Sequence, residues 1–236
     1  MRVGVFVGTR ADLGPLETVI AALADASDIE LIVLGGVAFA AEDLRVLLSE
    51  DAMSVTVRSL ATPVSVIDKD AMVTQGALLA EGLRELHDSA PLDALVVLGD
   101  RWELLSVVST AFLLGIRIVH LHGGEVTEGA LDERVRHAVT KQAHVHCEAS
   151  SDAKRRVLQL GEAPERIRVT GAPGLDRLVG IEPATDDDLE TLAQRSVGRP
   201  LVLFTYHPET ADGARSPGEN AREALRGVLE HAHTVV

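Results

Sequence analysis

Short runs rich in Val, Ile and Leu at residues 3–7, 29–34, 95–98, 116–121 and 167–169 constrain the fold most strongly, each bounded by Gly, Asp or Pro. A run of this length without polar alternation reads as a strand buried on both faces. Between the runs lie segments with apolar residues at helical spacing, at 16–23, 71–86, 103–114, 135–143 and 153–160. Alternating strand and helix predicts parallel βαβ units, hence an α/β chain with a Rossmann-like, doubly wound parallel sheet. With 236 residues, 46% of them apolar, the chain has room for one full domain and part of another.

Residues 180–188, GIEPATDDD, combine Gly and Pro with a carboxylate cluster. We read a linker there, followed by a helix whose first turn carries the acids, as the helix dipole favours. The expected domains are therefore 1–180 and 181–236. The second holds a strand at 201–205, a helix at 219–231 and a strand just beginning at 234–236, so it is expected to be incomplete.

Net charge and cysteine usage exclude several classes. The formal charge of −14, from 36 acidic against 22 basic residues, opposes a nucleic-acid partner. Cys147 is the sole cysteine, which excludes an intrachain disulfide and a thiolate zinc site and fits a reducing compartment. The opening MRVGVFVG turns polar too soon for a signal peptide, and the apolar stretch 104–119 holds two Ser, a Thr and Arg117. A cytoplasmic protein without a membrane partner is expected.

In open α/β sheets ligands bind beyond the carboxyl ends of the strands, and here those ends are polar. After the first run comes GTRAD, where a small residue, a helix N-terminus and Arg10 together suit a phosphate. The dinucleotide fingerprint G-x-G-x-x-G is absent there. Asp100, one residue past an apolar run, either caps a helix or meets a ligand, and Arg101 forms either a salt bridge or a second phosphate contact. In HLHGGEVTEGALDERVRHAVTK, His120 and His122 alternate on a strand and should face one side, and Gly123 and Gly124 permit a sharp turn. Glu125, Glu128, Asp132 and Glu133 follow closely, able to divide acid and base roles. No HExxH-like ligand spacing accompanies them, so no metal is expected. His144 and His146 read as core or edge residues, whereas His207, after a strand and before Pro208, can donate a proton or a hydrogen bond.

Taken in order, GTRAD, VVLGDRWE, HLHGGEVTEGALDERVRHAVTK, LQLGE-x-PERI-x-VTGAPGLD and TYHPET resemble the hydrolysing UDP-N-acetylglucosamine 2-epimerases. The resemblance spans residues 1 to about 210. It implies a GT-B-like pair of Rossmann-like domains with the active site between them. The reaction it implies needs no cofactor and yields UDP and N-acetylmannosamine, and the expected assembly is a dimer or tetramer. By position, Asp100, Asp132 and His207 match catalytic residues, Arg10 a phosphate contact and Gly171 a nucleotide-side contact. Related enzymes carry H-x-E where this chain has His122, so Glu125 is the nearest carboxylate for that role. Members of the family also continue past residue 236. The same motifs leave open a UDP-2,4-diacetamido-2,4,6-trideoxyhexose as substrate, a GT-B glycosyltransferase, and an inactive fragment.

Overall fold

The computed structural model describes residues 1–48, 55–64, 67–128, 130–206, 216–232 and 234–235. By its contacts the chain divides into one compact unit of Met1–Thr127 and Asp132–Val179 and a second of Glu128–Leu131 and Gly180–Val236.

In the first unit the strands are β1 (Arg2–Val7), β2 (Glu30–Gly35), β3 (Thr56–Ser59), β4 (Ala94–Leu98), β5 (Arg117–Leu121), β6 (Val145–Glu148) and β7 (Ile167–Val169). They form one sheet in the order β3-β2-β1-β4-β5-β6-β7, and every neighbouring pair is parallel. The crossovers include α1 (Arg10–Asp25), α2 (Ala41–Leu47), α3 (Lys69–Ser89), α4 (Glu103–Leu113), α5 (Asp132–Gln142) and α6 (Ser151–Gln159). Asp68 starts α3 by accepting the Ala71 amide at 2.8 Å, and Ser150 starts α6 through the Ala153 amide at 3.1 Å.

The two-residue period of a strand explains why both faces are covered. On β1, Phe6 packs with Leu79 and Leu83 of α3, Leu104 and Val108 of α4 and Val139 of α5, while Val3, Val5 and Val7 pack with Leu16 and Ile20 of α1 and Leu44 of α2. Each such side chain removed from water stabilises the fold by roughly 1.5–3 kcal/mol before entropy is counted. Closest approach is made at Gly82 of α3, where a Cβ would lie 2.0 Å from the Leu60 carbonyl oxygen. Beyond β7 the chain returns to α1: Thr18 donates to the Pro173 carbonyl at 3.3 Å, and Arg177 pairs with Glu17 at 2.5 Å.

All five expected runs of the first unit appear as strands. The sequence reading passed over β3 and α2. β3 lies at the sheet edge with only Val57 fully buried, so it lacks the apolar run that marks the central strands.

The second unit holds α7 (Asp186–Ala193), β8 (Leu201–Val202), α8 (Pro217–Leu229) and β9 (Thr234–Val235), with β8 and β9 paired in parallel. Thr185 opens α7 through a reciprocal cap with Asp188, so the acid cluster forms the first turn of a helix. Ser216 and Glu219 repeat that device on α8. The strand expected over 201–205 is shorter, ending at Val202.

Candidate functional site

The strand order reverses between β1 and β4, and this switch point is where an open α/β sheet leaves a crevice for a ligand. Two of the polar segments singled out in the sequence, residues 8–12 and 99–101, follow these two strands. The third follows β5, beside β4.

After β1, Thr9 precedes α1 and its amide donates to Asp12 at 2.7 Å. Burial raises the Asp12 carboxyl above its ordinary range. Arg101 stands 3.8 Å from that carboxylate and donates to Glu103 at 3.0 Å, and Glu103 is fully buried. Of the two roles open to Arg101, the structure displays the salt bridge. A Cβ on Gly8 would stand 3.0 Å from Asp12 Oδ2 and 3.1 Å from Arg101 Nε, so the glycine lets this polar pair pack under the turn. Arg10 is exposed and lines, with Thr9, Phe39 and Asp43, an open cavity of about 590 Å³.

After β4, Gly99 adopts φ +72°, and Asp100 follows it. Asp100 does not cap α4, whose first flanking residue is Trp102. Its carboxylate instead accepts a close hydrogen bond from Arg136 of α5. Arg136 also donates to Thr127 Oγ1 at 3.0 Å and lies 3.6 Å from Glu133. Burial pushes this guanidinium down from its ordinary value, while Glu148 acts in the opposite sense. A fully buried imidazole steadies the loop: His120 Nε2 lies 2.8 Å from the Gly99 carbonyl, and Nδ1 lies 3.2 Å from Thr140 Oγ1. Burial lowers the His120 pKa to about 4, so it is neutral at pH 7.

The structure corrects one expectation here. His120 and His122 do not alternate on one strand, because β5 ends at Leu121 and His122 takes the left-handed φ of +62°. The strand's alternation is broken at that residue, so His120 enters the core while His122 is only half-buried. His122 Nδ1 lies 3.8 Å from Glu125, and its Nε2 is buried without a hydrogen-bond partner among the described residues. Burial lowers this imidazole's pKa and Glu125 partly offsets the effect.

Asp132 opens α5 and is half-buried. Gly171 follows β7 with φ +83°. His207 lies outside the described residues. His146 is a core residue, 3.3 Å from Glu162. No group of three His, Cys, Asp or Glu side chains arranged to hold a metal occurs among the described residues.

Two residues that sequence reasoning did not single out belong to this cluster. Arg136 was hidden in an ordinary helical period. Glu148 carries the same signal that marked Asp100, a carboxylate at the end of a strand, but β6 is only four residues long and His146 breaks its apolar run.

The profile of the UDP-N-acetylglucosamine 2-epimerase family matches residues 22–236. The chain is 32% identical over 208 residues to the UDP-N,N'-diacetylbacillosamine 2-epimerase (hydrolyzing) of Legionella pneumophila, over 85% of this chain and 54% of that protein. It is also 32% identical over 168 residues to the GDP/UDP-N,N'-diacetylbacillosamine 2-epimerase (hydrolyzing) of Campylobacter jejuni, over 71% of this chain and 42% of that protein. The chain thus spans about half the length of these relatives. A solved UDP-GlcNAc 2-epimerase from Methanocaldococcus jannaschii, in complex with UDP-GlcNAc and UDP, shares the fold with a TM-score of 0.71 at 17% identity, covering 98% of this chain and 62% of that one. With its α/β, GT-B-like fold and a profile match that reaches from α1 to the last residue, the chain belongs to the UDP-N-acetylglucosamine 2-epimerase family.

Proposed function

We propose that this chain carries the sugar-handling part of a hydrolysing UDP-sugar 2-epimerase, which converts UDP-N-acetylglucosamine to UDP and free N-acetylmannosamine. The observation that carries the reading is Asp100, a carboxylate at the topological switch point, paired with buried Arg136 and preceded by Gly99, whose carbonyl is held by His120.

The chemistry needs such a group. No carbonyl adjoins the C2 hydrogen of the sugar, so that proton becomes removable only as the bond from C1 to pyrophosphate breaks and positive charge builds at C1. A base takes the C2 proton as UDP leaves, giving a 2-acetamidoglucal. An acid and a base then add water across the double bond with inversion at C2. Asp100 and Asp132 are assigned proton transfer and charge stabilisation. Glu125, or His122 beside it, takes the family's H-x-E position. Arg10 meets the phosphates, Gly171 the nucleotide side, and His207 the departing phosphate. The site residues of the first unit fall within residues 1–180, the proposed catalytic domain. Residues 181–236 are proposed as the start of the nucleotide-binding domain.

A second substrate is favoured by a specific observation: both relatives at 32% identity are named for diacetylbacillosamine. The same steps on the UDP-2,4-diacetamido-2,4,6-trideoxyhexose need no change in residue roles. Incubating the full gene product in water with each sugar nucleotide tests the reading. Release of UDP with the free 2-epimer is the expected result, and the faster substrate identifies the specificity. A glycosyltransferase would leave both nucleotides largely intact without an acceptor, and an inactive fragment would show no heat with millimolar UDP in calorimetry.

A further inference from the structure

Gly124 is gripped from both sides. Its amide donates to Glu148 Oε2 at 2.8 Å, and its carbonyl accepts from Arg156 of α6 at 3.1 Å. Glu148 is fully buried at the end of β6, and its other carboxylate oxygen, also buried, has no hydrogen-bond partner among the described residues. Holding a carboxylate in such a place costs several kcal/mol of desolvation, which the hydrogen bond from the Gly124 amide offsets in part.

The double glycine fits around this carboxylate. A Cβ on Gly123 would stand 2.9 Å from His120 Nδ1, 3.0 Å from Thr140 Oγ1 and 3.1 Å from Glu148 Oε1. A Cβ on Gly124 would stand 2.1 Å from the Ala153 carbonyl oxygen. The turn therefore rests on a polar floor of His120, Thr140 and Glu148, and only residues without side chains can lie against it. Directly before the turn sits His122 in its left-handed conformation, and directly after it sits Glu125.

We infer that Glu148 is the positioning residue of this turn: through the Gly124 amide it sets the place of His122 and Glu125. The role in turnover rests on the epimerase reading, whereas the role in holding the turn does not. A carboxylate also contributes charge at a distance, so the variants separate geometry from charge. Glu148→Gln keeps an acceptor for the Gly124 amide and removes the charge, and Glu148→Ala removes both.

Two readouts on the full gene product test the inference. In hydrogen exchange followed by mass spectrometry, Glu148→Ala should speed exchange of the peptide covering residues 122–127 while that over β1 and β2 stays as in the wild type, and Glu148→Gln should restore protection. In UDP release from UDP-N-acetylglucosamine, Glu148→Ala should lower kcat on the order of a hundredfold with little change in KM, the effect of misplacing reacting groups by about 1 Å. Glu148→Gln should recover most of it. Unchanged exchange over 122–127 in Glu148→Ala overturns the inference, and so does a Glu148→Gln variant that exchanges as fast as Glu148→Ala. If Glu148→Ala does not fold, Glu148→Gln alone decides: wild-type protection supports the positioning role and lost protection overturns it. A wild-type protein that releases no UDP from either sugar nucleotide counts against the epimerase reading, and the exchange result still judges the turn.

Discussion

Asp100, for which proton transfer is proposed, is a half-buried carboxylate, whereas His120 is a fully buried imidazole. Asp100→Asn should lower turnover about a hundredfold or more with folding intact, the range for a lost acid or base; UDP release at saturating substrate measures it, and a near-normal rate would remove Asp100 from the mechanism. His120 affects stability instead. Its folded pKa of about 4 lies below the ordinary 6.5, so the unfolded chain binds the proton first as pH falls. The imidazole's contribution is complete above about pH 6.5 and is lost toward pH 4, on the order of 3 kcal/mol over that window. Asp12 and Glu148, raised by burial, act in the opposite direction. Denaturation midpoints of the wild type against His120→Asn between pH 7 and 4.5 isolate the histidine, and parallel curves would refute its role. Asp100 could be read from the sequence because a carboxylate ending an apolar run is locally anomalous. Arg136 could not, since its meaning depends on the crossing of α5 over the β4 loop, a contact 36 residues distant in the chain.

The elements show the same division between local and non-local signal. β1, β2, β4 and β5 lie inside the sheet, and that burial writes itself as sequence rich in Val, Ile and Leu. β3 is an edge and α2 a helix of seven residues, too short for a periodic pattern to stand out. The left-handed His122 lay beyond any pattern argument, since histidine is not the residue that such a backbone prefers. Close packing of α3 on the segment after β3 depends on a missing side chain. Gly82→Ala places a methyl group 2.0 Å from the Leu60 carbonyl oxygen and should destabilise by about 1–3 kcal/mol or more, although alanine is the better helix former. Urea denaturation measures this, and a more stable variant would mean that α3 can shift freely on its neighbour.

At the scale of the molecule, both hydrophobic clusters among the described residues lie wholly within the first unit. A chain ending at Val179 should therefore fold by itself and melt in one cooperative transition by circular dichroism; a broad or absent transition would show that the first unit depends on the rest. No helix among the described residues is long and apolar enough to cross a membrane. The strand order has a further consequence on the ribosome. β1, β2 and β3 build outward in one direction, and the chain then returns to lay β4 against β1. From that point β5, β6 and β7 emerge in the order in which they add to the growing edge, so each new strand finds its partner already made. The nascent chain is exposed longest while β1 waits for β4, when the apolar edge of residues 2–7 is uncovered, and it is this interval that a chaperone would have to guard.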